Sequence, residues 1–111
     1  MPISDTEIDR ALSYLRDTAD ACAKARAERL YLEDYSRVLK ATIMAEHLAE
    51  PVNAQERYAY SDMRYRNHLE ALKLAVFEDE KARFLRSAAE VKVEVWRSQQ
   101  ANLRAEGKAY S

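Results

Sequence analysis

The sequence predicts an all-α protein, a long antiparallel helical hairpin that assembles into a homo-oligomer. It has one glycine in 111 residues, Gly107, and only two prolines, Pro2 and Pro51. Apolar residues also recur at helical spacing on both sides of Pro51. Because tight turns and strand connections need residues that accept unusual backbone angles, a chain with so few of them runs as long helices. At this length we expect one helical domain over residues 1–111.

The first helix is predicted over residues 5–49. Ser4 and Glu7 have the spacing of a capping box at its start, and Pro51 stops it. Its early apolar row has the alternating spacing of a coiled-coil seam: Ile8, Leu12, Leu15, Ala19 and Cys22. Arginines occupy the next heptad positions, so that register ends there. Residues 1–24 are therefore a candidate for a distinct oligomerisation segment.

Beyond Pro51 the sequence predicts a short helix over residues 54–60 and a long helix over residues 63–106. Asn53 and Glu56 form a second capping box before the short helix. Ser61 or Asp62 caps the long helix, and we expect Gly107 to end it.

The long helix carries two apolar rows, which is more than one hairpin partner can cover. One row is Leu74, Phe77, Lys81, Phe84, Ala88, Val91 and Val95. The other is Tyr65, Leu69, Leu72, Val76, Ala89, Val93 and Trp96. Two helices packed only on each other are marginally stable, so other copies of the chain are expected to cover the second face. The interface residues we predict are Ile8, Leu12, Leu15 and Trp96, although Trp96 also fits packing within the hairpin.

Charge is segregated although the net charge is only −1. Residues 1–23 carry five acids against two bases, net −3, and residues 81–108 carry seven bases against three acids, net +4. The single cysteine, Cys22, excludes an internal disulfide and favours a reducing compartment, so we expect a cytoplasmic protein. No stretch approaches the roughly 20 apolar residues of a membrane span, and no secretory signal is visible.

The sequence favours a protein that is not an enzyme and needs no metal or cofactor. His47 and His68 have neither a cysteine partner nor the glutamate spacing of di-metal helical bundles. No glycine-rich loop is present to hold phosphates. No catalytic residue is therefore predicted.

A basic and aromatic cluster lies where the hairpin bends. Its members are Arg57, Tyr58, Tyr60, Ser61, Arg64, Tyr65 and Arg66. Single-stranded nucleic acid is held by this mixture, since guanidinium groups pair with phosphates and bases stack on aromatic rings. A structural alternative stays open: Tyr58 and Tyr65 fill the tip of the hairpin while the arginines bridge to Glu56, Asp62 and Glu70.

The chain resembles phage recombination proteins of the UvsY type, the mediators that load a RecA-like recombinase onto single-stranded DNA. The segments that carry the resemblance are Tyr31–Glu33, Leu39–Ala41 with Met44, Glu56–Ser61, Ala88–Ala89 and Glu94–Ala101. Members of this family have a motif for DNA binding in which arginine is followed by tyrosines and serine. Arg57, Tyr58, Tyr60 and Ser61 match its character.

The resemblance implies a ring-like homo-oligomer that binds single-stranded DNA and acts in the cytoplasm of a phage host. It also implies contacts with a RecA-like recombinase and with a single-strand-binding protein. A second hypothesis of another class is a non-enzymatic helical scaffold or adaptor that binds only protein partners, as a structural or regulatory phage component.

Overall fold

The structure, a computed structural model, describes residues 2–109 and contains four α-helices and no strand within them. The helices are α1 (Asp5–Asp17), α2 (Ala19–Ala45), α3 (Val52–Ser61) and α4 (Met63–Ala109). The all-α class predicted from the scarcity of glycine and proline is confirmed.

The start of α1 is the one that the sequence predicts. The Glu7 backbone N–H donates to Ser4 Oγ at 3.1 Å, which satisfies one of the free amide groups of the first turn. Asp5 and Glu7 place negative charge at this end, where the helix dipole favours it.

The prediction of one continuous helix over residues 5–49 is wrong at two places. Thr18 separates α1 from α2, and its hydroxyl donates to the Tyr14 carbonyl oxygen at 2.6 Å. Such a bond bends a helix slightly, but it does not account for the break alone, since the same bond from Thr42 to the Val38 carbonyl oxygen leaves α2 uninterrupted. In addition, α2 ends at Ala45, and turns occupy the residues before Pro51.

The short helix α3 begins at Val52 and ends at Ser61, so it is longer than predicted at both ends. The prediction of Asn53 as its N-cap is wrong, because Pro51 occupies that position. Asn53 lies inside the helix, where its Oδ1 accepts a hydrogen bond from the neighbouring Ala54 N–H. A proline is accepted at the N-cap because the first amide groups of a helix have no partner within it.

The long helix α4 begins at Met63, as predicted, but it does not end before Gly107. Asp62 Oδ1 accepts from the Arg64 backbone N–H at 2.8 Å and so caps its first turn. The helix continues through Gly107 to Ala109, and Gly107 does not adopt a positive φ. Glycine ends a helix where the chain turns into the left-handed region, which does not happen here.

The chain divides into two compact units. The terminal unit contains the residues up to Cys22 and those from Lys81 onward, and the central unit is Ala23–Glu80. In the terminal unit α1 packs on α4 through Ile8, Ala11 and Ala89, all of which are buried. Arg86 Nη1 donates to the Leu15 carbonyl at 3.2 Å.

The core of the central unit is formed by Leu39, Ile43 and Ala59, with Met44 and Tyr65 packed against it. Ile43 and Ala59 are completely inaccessible to solvent. Ala59 comes from α3, so the short helix lies directly on the end of α2 and fixes the orientation of its own outer face.

Three polar side chains are buried in the central unit, those of Gln55, His68 and Asp79, and each has a partner. Gln55 Nε2 donates to the Glu50 carbonyl oxygen at 2.8 Å. His68 Nε2 lies 2.6 Å from Ser36 Oγ in a hydrogen bond. Asp79 pairs with Arg29, whose Nη1 is 3.2 Å from Asp79 Oδ2 and 2.8 Å from Glu80 Oε1. A buried carboxylate of this kind is tolerated because it is paired.

Candidate nucleic-acid interface

The position of α3 on the core determines which residues of the predicted cluster face solvent. Gln55 and Ala59 are buried, and they lie one turn apart on the inner side of the helix. Since each residue turns the helix by about 100°, Arg57 lies on the opposite, outer side. Tyr58 and Tyr60 are close to half exposed and flank Arg57 on either side.

Tyr58 stacks on His47, which belongs to the turn after α2. The two ring centroids are 4.1 Å apart and the rings are nearly parallel, at 6°. One face of Tyr58 is therefore covered, while 46% of the residue remains exposed. This stack holds the ring in a defined orientation.

Arg57, Tyr58 and Ser61 line one open groove of about 240 Å³, together with Glu50 and Ala54. Ser61 Oγ donates to the Arg57 carbonyl oxygen at 2.7 Å. Arg57 itself is exposed, and its side chain has no ion pair or hydrogen bond within residues 2–109. Its guanidinium group is available to an anion from outside the chain.

Tyr60 flanks Arg57 on the side away from Tyr58, and its ring contacts residues of α2 and α4. Its ring meets the Tyr65 ring edge-on at a centroid distance of 5.3 Å, and Lys40 Nζ lies 4.9 Å from its centroid. The adjacent Tyr60 side chain, more than the Glu56 carboxylate 3.9 Å away, raises the pKa of Lys40. Tyr60 remains 50% exposed, so it combines a fixed ring with an accessible surface and a neighbouring cation.

Arg64 is occupied by two carboxylates. Its Nη1 and Nη2 donate to both oxygens of Glu46 at 2.9 and 2.7 Å, and its Nε donates to Asp62 Oδ1 at 3.0 Å. The hydrogen bonds from Arg64 lower the pKa of Glu46 and of Asp62. Because its donors and its charge are already satisfied, Arg64 is poorly suited to hold a phosphate.

The two remaining members of the cluster behave differently from each other. Tyr65 is partly buried against the core of the central unit and contributes to packing. Arg66 is exposed and forms no ion pair in the part of the chain that the structure describes. The alternative in which the cluster serves packing and ion pairing thus applies to Tyr65 and Arg64. The side chains that remain available to a ligand are those of Arg57, Tyr58, Tyr60 and Arg66.

We call the outer side of α3 the Arg57 surface; it consists of Arg57, Tyr58, Tyr60 and Ser61. His47 and Lys40 support it, and neither was selected from the sequence. His47 is an isolated histidine separated from Tyr58 by a turn, and Lys40 lies on another helix. No local spacing indicates either contact.

The four predicted interface residues are in different environments. Ile8 is buried inside the terminal unit, and Leu15 is partly buried there. Leu12 is 51% exposed. Trp96 is partly buried, and its Nε1 is inaccessible and lacks a hydrogen-bond partner within the described residues.

No protein-family model, curated protein or solved structure matches this chain. Among residues 2–109, no helix combines the length and apolar character that crossing a membrane requires. The same residues contain no group of three or more histidine, cysteine or carboxylate side chains placed to hold a metal ion.

Proposed function

We propose that this chain is an oligomeric single-stranded-DNA-binding recombination mediator that promotes the loading of a RecA-like recombinase. The observation that carries the proposal is Arg57, an exposed guanidinium group that has no carboxylate partner among residues 2–109 and is flanked by two half-exposed tyrosines. A phosphate can pair with Arg57 while the adjacent bases stack on Tyr58 and Tyr60, each stack contributing about 1–3 kcal/mol. Arg66 supplies a second cation close by in the sequence.

One such surface binds weakly, because four carboxylates lie in the same stretch: Glu46, Glu50, Glu56 and Asp62. Several copies that bind one strand together reach a higher overall affinity. Once one site has bound, the strand is present at a high effective concentration for the neighbouring sites. The proposal therefore includes a homo-oligomer of long antiparallel hairpins, ring-like as in the family that the sequence resembles. Contacts with a recombinase and with a single-strand-binding protein are implied by that resemblance alone.

Anisotropy of a labelled oligo-dT strand, titrated at several salt concentrations, tests the proposal. Arg57→Ala and Arg66→Ala should each reduce the slope of log affinity against log salt by about 0.7, the value for one lost phosphate contact on a single strand. Arg64→Ala is the matched control, because it removes the same charge from a residue already paired with Glu46 and Asp62. It should leave the slope unchanged.

The contribution of base stacking is tested in the same titration with Tyr58→Ala. This variant should bind the strand about fivefold to 150-fold more weakly, while the slope of log affinity against log salt stays unchanged. Its circular dichroism spectrum should match that of the wild type, because the residue is half exposed. Absence of salt-dependent binding by the wild type, or equal slopes for Arg57→Ala and Arg64→Ala, would reject the Arg57 surface as a DNA site.

The alternative function, a helical scaffold or adaptor that binds only protein, is favoured by a different observation. α4 exposes several large apolar side chains, among them Leu74, Phe77 and Phe84 at 62%, 60% and 73%. Exposed apolar surface of this kind marks protein contacts. A wild-type protein that associates with itself and shows no affinity for oligo-dT even at low salt would support this function.

A further inference from the structure

The terminal unit has an open groove between α1 and α4. It is lined by three alanines, Ala11, Ala88 and Ala89, by Tyr14 and Leu85, and by three charged residues, Glu7, Arg10 and Lys92. The volume of about 290 Å³ is at the lower limit of small-molecule pockets, about 300 Å³, and the groove is open to solvent. Small alanine side chains let another helix approach closely, which suits an apposed helix better than a small ligand.

On α4 the groove continues into a row of exposed apolar residues. Phe84, Ala88, Val91 and Val95 follow the heptad spacing, and Ala88 belongs to both the row and the groove. Phe84 and Val91 are 73% and 61% exposed, and Val95 is 41% exposed. We call the groove and this row together the Val91 face.

The Val91 face is self-complementary in shape. Large side chains such as Phe84 and Val91 project beside the alanines of the groove. The large residues of one copy can therefore fit into the groove of another. Among the described residues of the terminal unit, the buried apolar side chains are those of Ile8, Ala11 and Ala89. Because this core is small, burial of further apolar surface between copies would add to its stability.

The face is also self-complementary in charge. The segment that contains α1 carries a net charge of −3, and residues 81–108 carry +4. At the groove itself α1 contributes Glu7 and Arg10 and α4 contributes Lys92, so the opposite charges belong to the two segments as a whole. In an isologous contact with two-fold symmetry, each α1 lies over the α4 of the other copy, so that opposite charges meet.

We propose that the Val91 face is the self-association surface of this protein and that its occupant is the same face of a second copy, giving a four-helix packing of two terminal units. This inference rests on the homo-oligomer of the proposed function; an isologous contact joins two copies and does not by itself close a ring. It assigns the contact between copies to α4 and the groove. The early apolar row predicted from the sequence, which includes Leu12, is not part of that contact.

Size-exclusion chromatography with light scattering on the full chain tests this assignment. Val91→Glu should lower the particle mass at least twofold at a concentration where the wild type is associated, because each copy would bring a charge into an apolar contact. Leu12→Glu is the matched control, since Leu12 is 51% exposed in the same unit but does not line the groove. It should leave the mass unchanged.

Phe84→Ser provides a second variant that removes exposed apolar surface without adding charge, and it should also lower the mass at least twofold. All three variants should keep the wild-type helicity, because the substituted side chains are exposed. If the wild type associates and Leu12→Glu lowers the mass while Val91→Glu and Phe84→Ser do not, this inference is wrong but the homo-oligomer stands. A wild type that is monomeric at all concentrations overturns both.

Discussion

Replacement of Ile43 by alanine is the most direct test of how the central unit is held together. Ile43 is the largest side chain that is completely buried, and it packs with Leu39, Ala59, Met44 and Tyr65. These neighbours come from three helices, so Ile43 joins α2 to α3 and α4. Loss of this contact also loosens the support beneath the Arg57 surface, because Ala59 belongs to the same helix as Arg57.

The expected loss follows from the atoms removed. Isoleucine exceeds alanine by three methylene-sized groups, and at about 0.8 kcal/mol for each the transfer free energy alone amounts to about 2.4 kcal/mol. A cavity adds about 24 cal/mol per Å³ that the neighbours do not refill. We therefore expect Ile43→Ala to lower the free energy of unfolding by about 2.5–4 kcal/mol, within the range known for such substitutions.

Urea denaturation followed by far-ultraviolet circular dichroism measures this change, at a fixed protein concentration because association also stabilises the chain. Val38→Ala on the same helix is the matched control, since Val38 is 55% exposed and its truncation should cost no more than about 0.5 kcal/mol. Equal losses for Ile43→Ala and Val38→Ala would show that the core is not where the structure places it.

Two further predictions concern the start and the end of α4. Arg64 lowers the pKa of Glu46 and of Asp62, so their ion pairs stabilise the fold at neutral pH and are lost as the pH falls through these lowered pKa values. Urea denaturation at pH 7 and pH 3 should therefore show a smaller acid-induced loss of stability in Arg64→Ala than in the wild type, and an equal loss would contradict the pairing. Gly107→Ala should raise helicity or leave it unchanged, with a local gain of at most about 1 kcal/mol, because an added Cβ meets no atom within 4 Å in a helical backbone. A fall in helicity by circular dichroism would instead support a left-handed helix end at Gly107.

The sequence alone determined the features that depend on neighbouring residues. The scarcity of glycine and proline predicts the all-α class, and Ser4 with Glu7 predicts the start of α1 because a cap and its partner lie within one turn. The same local reasoning was wrong at Thr18 and Gly107. At Thr18 a residue type that is also found inside α2 interrupts the helix, and at Gly107 a residue type that commonly ends a helix lies within one.

Only the tertiary structure decided which members of the cluster are free to bind a ligand. Arg57, Arg64 and Arg66 are equivalent in the sequence, but Glu46 is 18 residues before Arg64 and takes both of its terminal nitrogens. Likewise Tyr65 is drawn into the core of the central unit whereas Tyr58 stacks on His47 and stays half exposed. The physical reason is that helix formation is governed by residues three and four apart, whereas the pairing of a charge or the burial of a ring depends on which helix face lies opposite.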